Sequence, residues 1–195
     1  MRKILHKGTA VFILTATIFF STSSNSIAQG FAVSEVRAGV FAHNIYGGFL
    51  PFTPARWSSE ILIEDINVEL LFTSPNNDFF RFIGSPRPNL GGTFSLAGKE
   101  SMVHAALTWQ LPIFDTPIFI EGSFGIAAHN GALNGATTPN KNLGCRVNFY
   151  ESASIGYNID KNLSAMITYE HTSNLDLCSQ NDGLSNLGIR FGYSF

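Results

Sequence analysis

Apolar and polar residues alternate with a period of two along most of this chain, most clearly at its end. Leu187, Ile189, Phe191, Tyr193 and Phe195 fall on one row, and Gly188, Arg190, Gly192 and Ser194 on the other. Successive side chains of a strand point to opposite faces, so this pattern predicts a strand with one apolar face and one small or polar face. Further upstream, Ala165, Ile167, Tyr169, His171 and Ser173 share a row opposite Met166, Thr168, Glu170 and Thr172. Another row holds Val147, Phe149, Glu151, Ala153, Ile155 and Tyr157, opposite Tyr150, Ser152, Ser154 and Gly156. Strands are predicted at residues 35–45, 60–73, 89–97, 101–111, 118–128, 147–158, 163–173 and 184–195. Each reaches the roughly nine to eleven residues a tilted strand needs to cross a hydrocarbon core.

The predicted fold is all-β, an eight-stranded antiparallel up-and-down transmembrane β-barrel. A soluble lipocalin-like barrel would put its apolar rows inside and its polar rows outside. Here the rows opposite the apolar ones are tiny or polar and include Glu170 and Arg190, which suits the interior of a small membrane barrel. The connections alternate in character. Residues 46–59 and 129–146 are long and rich in Gly, Asn, Thr and Pro, whereas 112–117 and 159–162 are short. Short turns at the periplasmic end and longer outer loops are the habit of such barrels. Residues 74–88 break the pattern, being long for an inner turn.

The N-terminus points to export. Arg2, Lys3 and Lys7 precede an apolar run from Thr9 to Phe20, and a small-residue stretch leads to Ser26-Ile27-Ala28. Residues 1–28 read as a secretory signal peptide and 29–195 as the barrel. Cleavage there would take three of the twelve Lys and Arg and none of the fourteen acids, leaving 9 against 14 and a net charge of −5. No basic footprint for nucleic acid remains. Charged residues make up 13% of the chain, against about 25% in ordinary soluble domains. With 18 Phe and only one continuously apolar segment, a barrel in a membrane is favoured over a helical membrane protein. Cys145 and Cys178 fall at the same predicted end, and an exported chain meets an oxidising compartment, so a disulfide is expected. Nothing around them suggests zinc or thiol catalysis.

Two polar residues on an otherwise apolar outward row need a reason. If the turn after residue 158 centres on Lys161, Glu151 lies opposite His171 on the outward face, with Cβ atoms about 5 Å apart. Ser173, two residues on, shares that face. Base to nucleophile, third group to base, is the arrangement that activates a serine. The bland alternative is a set of polar side chains at interfacial depth, which cost only about 0–1 kcal/mol there.

His171-Thr172-Ser173-Asn174, then Asn181-Asp182-Gly183, then the terminal Gly-Ile-Arg-Phe-Gly-Tyr-Ser-Phe strand together resemble the PagL-type lipid A 3-O-deacylases, an acyloxyacyl hydrolase-like outer-membrane family. Arg87 to Gly92, Ala106 to Trp109, Gly125 to Gly131 and Phe149-Tyr150-Glu151 add to the likeness. The resemblance implies an outer-membrane esterase with its site on the outer wall, facing lipid A of lipopolysaccharide, and removing its 3-O-linked hydroxyacyl chain without a metal or other cofactor. It implies Ser173 as nucleophile and His171 as base, with Asn174 and Asn181 near the oxyanion. The family's third triad member, a glutamate two residues after the Asn-x-Gly glycine, is replaced here by Ser185. Glu151 is the expected substitute by register, and Asp182 the second. Two rival readings stand beside the deacylase: a non-catalytic barrel of the same family with a structural or lipid-binding role, and an acyl transferase using the same serine and histidine.

Overall fold

A computed structural model of the chain describes residues 32–47, 51, 53–58 and 61–195, so the expected signal peptide lies outside the described residues. The strands are β1 (Val33–Ala42), β2 (Ile63–Phe72), β3 (Arg87–Ser95), β4 (Met102–Pro112), β5 (Ile118–His129), β6 (Val147–Asn158), β7 (Leu163–Ser173) and β8 (Leu184–Ser194). One short helix, α1 (Asp78–Phe82), interrupts the connection between β2 and β3. Each strand pairs antiparallel with the next, and β1 pairs with β8, so the sheet closes into a barrel with no free edge. Closure leaves no strand edge unpaired, a condition for lying in hydrocarbon.

The eight strands and their order are those read from the pattern of alternation. β1 is shorter than expected and stops at Ala42. Asn44 adopts a left-handed backbone (φ 49°), a conformation its short polar side chain tolerates, and this turns the chain out of the strand. Beyond it, the Ile45 N–H donates to the Ser185 carbonyl at 2.8 Å, so the first connection leans towards β8.

Burial is inverted relative to a soluble barrel. Ile66, Val68 and Leu70 of β2 are exposed, while Asp65, Asn67 and Glu69 are buried inside. Arg37 sits at the centre of the interior. Its Nε is 2.7 Å from Glu35 Oε1, and its Nη1 is 2.6 Å from Glu121 Oε1 and 3.6 Å from Glu69 Oε2. Glu69 also pairs with Arg190 and lies 3.4 Å from His104 Nε2. Arg87 Nη1 reaches Glu35 Oε2 at 2.6 Å. A charge buried like this is tolerated only when paired and hydrogen-bonded. The interior is therefore a polar, cross-braced core, which discards the lipocalin-like alternative.

Cys145 and Cys178 form a disulfide with Cα atoms 5.7 Å apart. It ties the β5–β6 connection to the β7–β8 connection at the end of the barrel where β7 finishes. Cross-linking positions 33 residues apart stabilises by about 3–4 kcal/mol in the chain-entropy account.

Glu69 is the salt-bridge partner of Arg190 and lies beside His104, so removing it leaves the Arg190 guanidinium uncompensated in the core, while Arg37 keeps Glu35 and Glu121. Glu69→Ala is expected to destabilise the barrel by about 3–5 kcal/mol. The measurement is the urea midpoint, followed by heat-modifiable gel mobility. A shift of under about 1 kcal/mol would show that the other interior acids take over its role.

Candidate active site

The site follows from barrel register. β6 and β7 pair so that Glu151 stands opposite His171 and Phe149 opposite Ser173. β7 and β8 pair so that His171 stands opposite Ser185. Glu151, His171 and Ser185 therefore form one straight row across three strands, on the outward face, with Ser173 one step nearer the barrel end. The alignment of Glu151 with His171 is the one expected from a turn centred on Lys161.

The hydrogen bonding within the row differs from the expectation. The His171 ring is held by Ser185, with Nδ1 2.8 Å from Oγ. The Tyr169 hydroxyl lies within hydrogen-bonding reach of the Ser185 side chain and extends the chain of contacts. Glu151 is half-buried, and its Oε2 has no hydrogen-bond partner among the described residues. The residue in place to orient the imidazole is thus Ser185, the position where the family glutamate was expected. A backbone reason exists: a direct cross-strand partner on β8 is as near to His171 as Glu151 is on β6, and the short Ser185 side chain fits between buried neighbours.

The row is also less open than its outward direction suggests. His171 is 3% exposed and Ser173 7%. The first connection lies over this part of the wall. Ile45 and Tyr46 are buried, and Trp57, Tyr169 and Leu187 pack against them. The Tyr46 and Trp57 rings meet edge to face at 5.7 Å. Phe149 and Glu151 on β6 are only half-buried, so the approach to Ser173 is from the β6 side.

Asn174 and Asn181 organise the loop after Ser173. Asn174 Nδ2 donates to the carbonyls of Leu143 (3.0 Å) and Gln180 (2.7 Å), and its backbone N–H donates to Asn181 Oδ1 (2.9 Å). Asn181 Nδ2 donates to Asp176 Oδ1 at 3.0 Å, at the exposed edge of the loop. Both the backbone N–H and the side-chain amide of Asn174, expected near the oxyanion, are therefore engaged within the loop, and Asn174 acts as a brace. Asp182, the second candidate orienter, points away from His171: its Oδ2 accepts the Asn142 N–H at 2.7 Å. Gly183 closes the loop at φ 65°, and a Cβ placed there would lie 3.1 Å from His171 Cε1. Glycine meets both the backbone conformation and the close approach.

A second buried group braces the first connection. His43 Nδ1 lies 2.8 Å from Asp65 Oδ2, and its Nε2 3.2 Å from Glu100 Oε2. Glu100 Oε1 in turn accepts the Lys141 N–H at 2.6 Å. Burial alone would lower the His43 pKa, but hydrogen bonds and charge from Asp65 and Glu100 outweigh it and raise it from 6.5 to about 9. Burial would raise Glu100, and His43 together with the Lys141 N–H reverse that, holding its carboxyl below the usual value of 4.5. Spacing alone could not reveal this cluster, because its members come from three separate connections and strand ends.

A closed, outward-apolar barrel with a polar core defines an outer-membrane β-barrel, and its wall carries a buried histidine–serine pair. A family model described as lipid A 3-O-deacylase (PagL) matches residues 71–194, and the chain belongs to that family. Among solved structures it is similar to the outer membrane enzyme PagL, with a TM-score of 0.55 at 19% identity over 83% of this chain and 100% of that one. It is also similar to the N-terminal β-barrel domain of Pseudomonas aeruginosa OprF, with a TM-score of 0.48 at 11% identity over 85% of this chain and 100% of that one. No curated protein matches the chain.

Two outcomes follow from this geometry. Gly183→Ala is expected to cost about 1–2 kcal/mol for a left-handed alanine and also to displace the His171 ring. Gly98→Ala is the control, since Gly98 has φ 75° but nothing within 4 Å of its added Cβ. Only the first variant should shift the His171 imidazole resonances, and equal shifts in both would separate Gly183 from the site. The His43 cluster carries a pH signature. With a folded pKa of about 9 against 6.5, its contribution is complete below about pH 6.5 and fades as pH rises through 9. The Glu100 contribution is present above about pH 4.5 and is lost on acidification below it. The urea midpoint should therefore fall between pH 6.5 and 9.5 in the native chain, and fall less in His43→Gln.

Proposed function

We propose that this protein is an outer-membrane carboxylic ester hydrolase that removes the 3-O-linked hydroxyacyl chain from lipid A. What carries the reading is the His171–Ser173 pair on the membrane-facing row of a PagL-family barrel, with Nδ1 of the histidine held by Ser185. Nδ1–H donating to Ser185 Oγ makes Nε2 the basic nitrogen of the ring, the one that takes the Ser173 proton. Ser173 Oγ then attacks the ester carbonyl, and His171 passes the proton to the leaving sugar oxygen. Water repeats the sequence on the acyl-enzyme and releases the hydroxy acid. Asn181 Nδ2 would turn from Asp176 to donate to the developing oxyanion. The substrate is lipopolysaccharide in the leaflet that meets the long connections, and residues 1–28 are the export signal removed before the barrel inserts.

A second reading is favoured by one observation: the group on Nδ1 is neutral. A hydroxyl fixes the tautomer and the direction of the ring, but it does not offset an imidazolium charge as a carboxylate does. On this reading the chain is a barrel of the family with weak turnover or none, retained for lipid binding.

Mass spectrometry of lipid A from cells with and without the protein separates the two, since the enzyme removes one hydroxyacyl mass. Ser173→Ala and His171→Ala should each lower turnover by on the order of 10⁴–10⁶-fold. Ser185→Ala removes a neutral hydrogen bond worth about 0.5–1.5 kcal/mol and should lower it up to about tenfold. Ser185→Glu should raise it, because an orienting carboxylate is worth up to about 10⁴-fold in serine proteases. Native chain and Ser185→Glu both inert on several lipid A species would decide for the non-catalytic barrel.

A further inference from the structure

The connection between β2 and β3 is long for the end of the barrel it occupies, and nothing in the catalytic reading uses it. Its helix α1 has Asn77 as N-cap, the side-chain oxygen accepting the Phe80 N–H at 3.0 Å. Arg81 pairs with Asp78 and donates to Asn76 Oδ1. None of its residues is buried: Phe79 is 63% exposed and Phe82 89%. Helices shorter than about 12–15 residues are marginal in water, and in proteins most of their stability comes from packing an apolar face. This helix of five residues carries three phenylalanines; Phe80 is half-buried, and Phe79 and Phe82 stand exposed.

A neighbouring turn shows the same habit. Phe114, between β4 and β5, is 90% exposed and has a left-handed backbone at φ 51°. That conformation is costly for a bulky residue, and the side chain is left open to the surroundings. The helix is tied to β4 through Trp109, whose Nε1–H donates to the Ile83 carbonyl at 2.8 Å, and β4 runs on to the turn that carries Phe114. Trp109 belongs to the outward row of β4 with Val103 and Leu107, so the connection is pinned against the apolar outside wall. Tryptophan at the edge of an apolar band marks the membrane interface. Aromatic rings beside Asp78 and Arg81 also fit a helix lying in the interface, with its apolar side towards acyl chains.

We propose that α1 and Phe114 form an aromatic foot that seats in the head-group boundary of the phospholipid leaflet at the barrel end opposite Ser173. Its partner is the phospholipid bilayer, because the foot continues the lipid-facing wall of β4 without a break. In the closed strand order the foot hangs from β2 to β5, on the side away from β7. It grips the membrane behind the site wall and holds the barrel against rocking about the row that carries His171.

The test places nitroxide labels at Phe82→Cys, Phe79→Cys and Phe114→Cys in the full exported chain, with Lys161→Cys in the β6–β7 turn as the reference at the same barrel end. The proteins are reconstituted in phosphatidylethanolamine–phosphatidylglycerol vesicles, and native folding is verified by heat-modifiable mobility. Labels on the foot should relax with dissolved oxygen more than with a water-soluble nickel chelate, and the label at Lys161→Cys should do the reverse. Preference for the nickel chelate at all four positions would overturn the proposal. Protection from both relaxants at the foot, with spin–spin broadening, would overturn it in favour of contact with a second copy of the chain. The readout does not involve hydrolysis, so it stands or falls apart from the deacylase reading.

Discussion

In hydrocarbon an unpaired backbone N–H or C=O is too costly to leave at an edge, and everything else in this protein depends on how that demand is met. Closure of β1 onto β8 satisfies it, and closure fixes register all the way round. With the side-chain period at two, a fixed register decides which residue of each strand faces in and which faces out. The acids and arginines then gather inside, where Arg37 alone meets Glu35, Glu69 and Glu121. The same register lays Glu151, His171 and Ser185 side by side outside. Core and site are two faces of one constraint.

The wall then has to protect what register assembles. His171 and Ser173 are buried, and beside them Asn44 turns the first connection so that Ile45 continues hydrogen bonding to β8 and packs with Tyr169 and Leu187. The His43–Asp65–Glu100 cluster secures the root of that connection, and Glu100 passes the brace on to the β5–β6 connection through Lys141. The disulfide and Asn174 link that connection to the loop after Ser173. Three long connections are thereby joined over one end of the barrel, and the proposed nucleophile sits at the margin of this cap.

Much of this was legible in the residues themselves. Alternation gave eight strands because the two faces of a membrane barrel wall differ so sharply: Ile189 and Phe191 against Gly188 and Arg190 leave little choice of direction. A tight turn at Lys161 made the Glu151–His171 alignment readable across β6 and β7. The alignment of His171 with Ser185 was not readable in the same way, since the ten residues from 174 to 183 form a loop whose length does not set register. The fold-back of residues 44–46 onto β8 depends on one left-handed asparagine and on contacts distant in sequence, to which a periodic pattern is blind. The roles of Asn174 and Asn181 were obscured for a related reason. An asparagine that braces a loop and one that faces a substrate look alike until their partners are known.

The most informative departure is at Ser185. It is fully buried on the membrane-facing wall, beside Tyr169 and His171. A carboxylate there would have to be stripped of water, and its cost would be offset only by a permanent partner. A hydroxyl carries no such cost. It can accept from the imidazole and still engage Tyr169, so the ring is held while the wall stays neutral. Catalytic power and stability pull in opposite directions at such a site. The nearby Glu151, half-exposed and without a partner on Oε2, shows the other solution to the same problem, a carboxylate kept where the wall is open. On the proposed reading the protein keeps the geometry of an activated serine and gives up the buried charge that usually accompanies it.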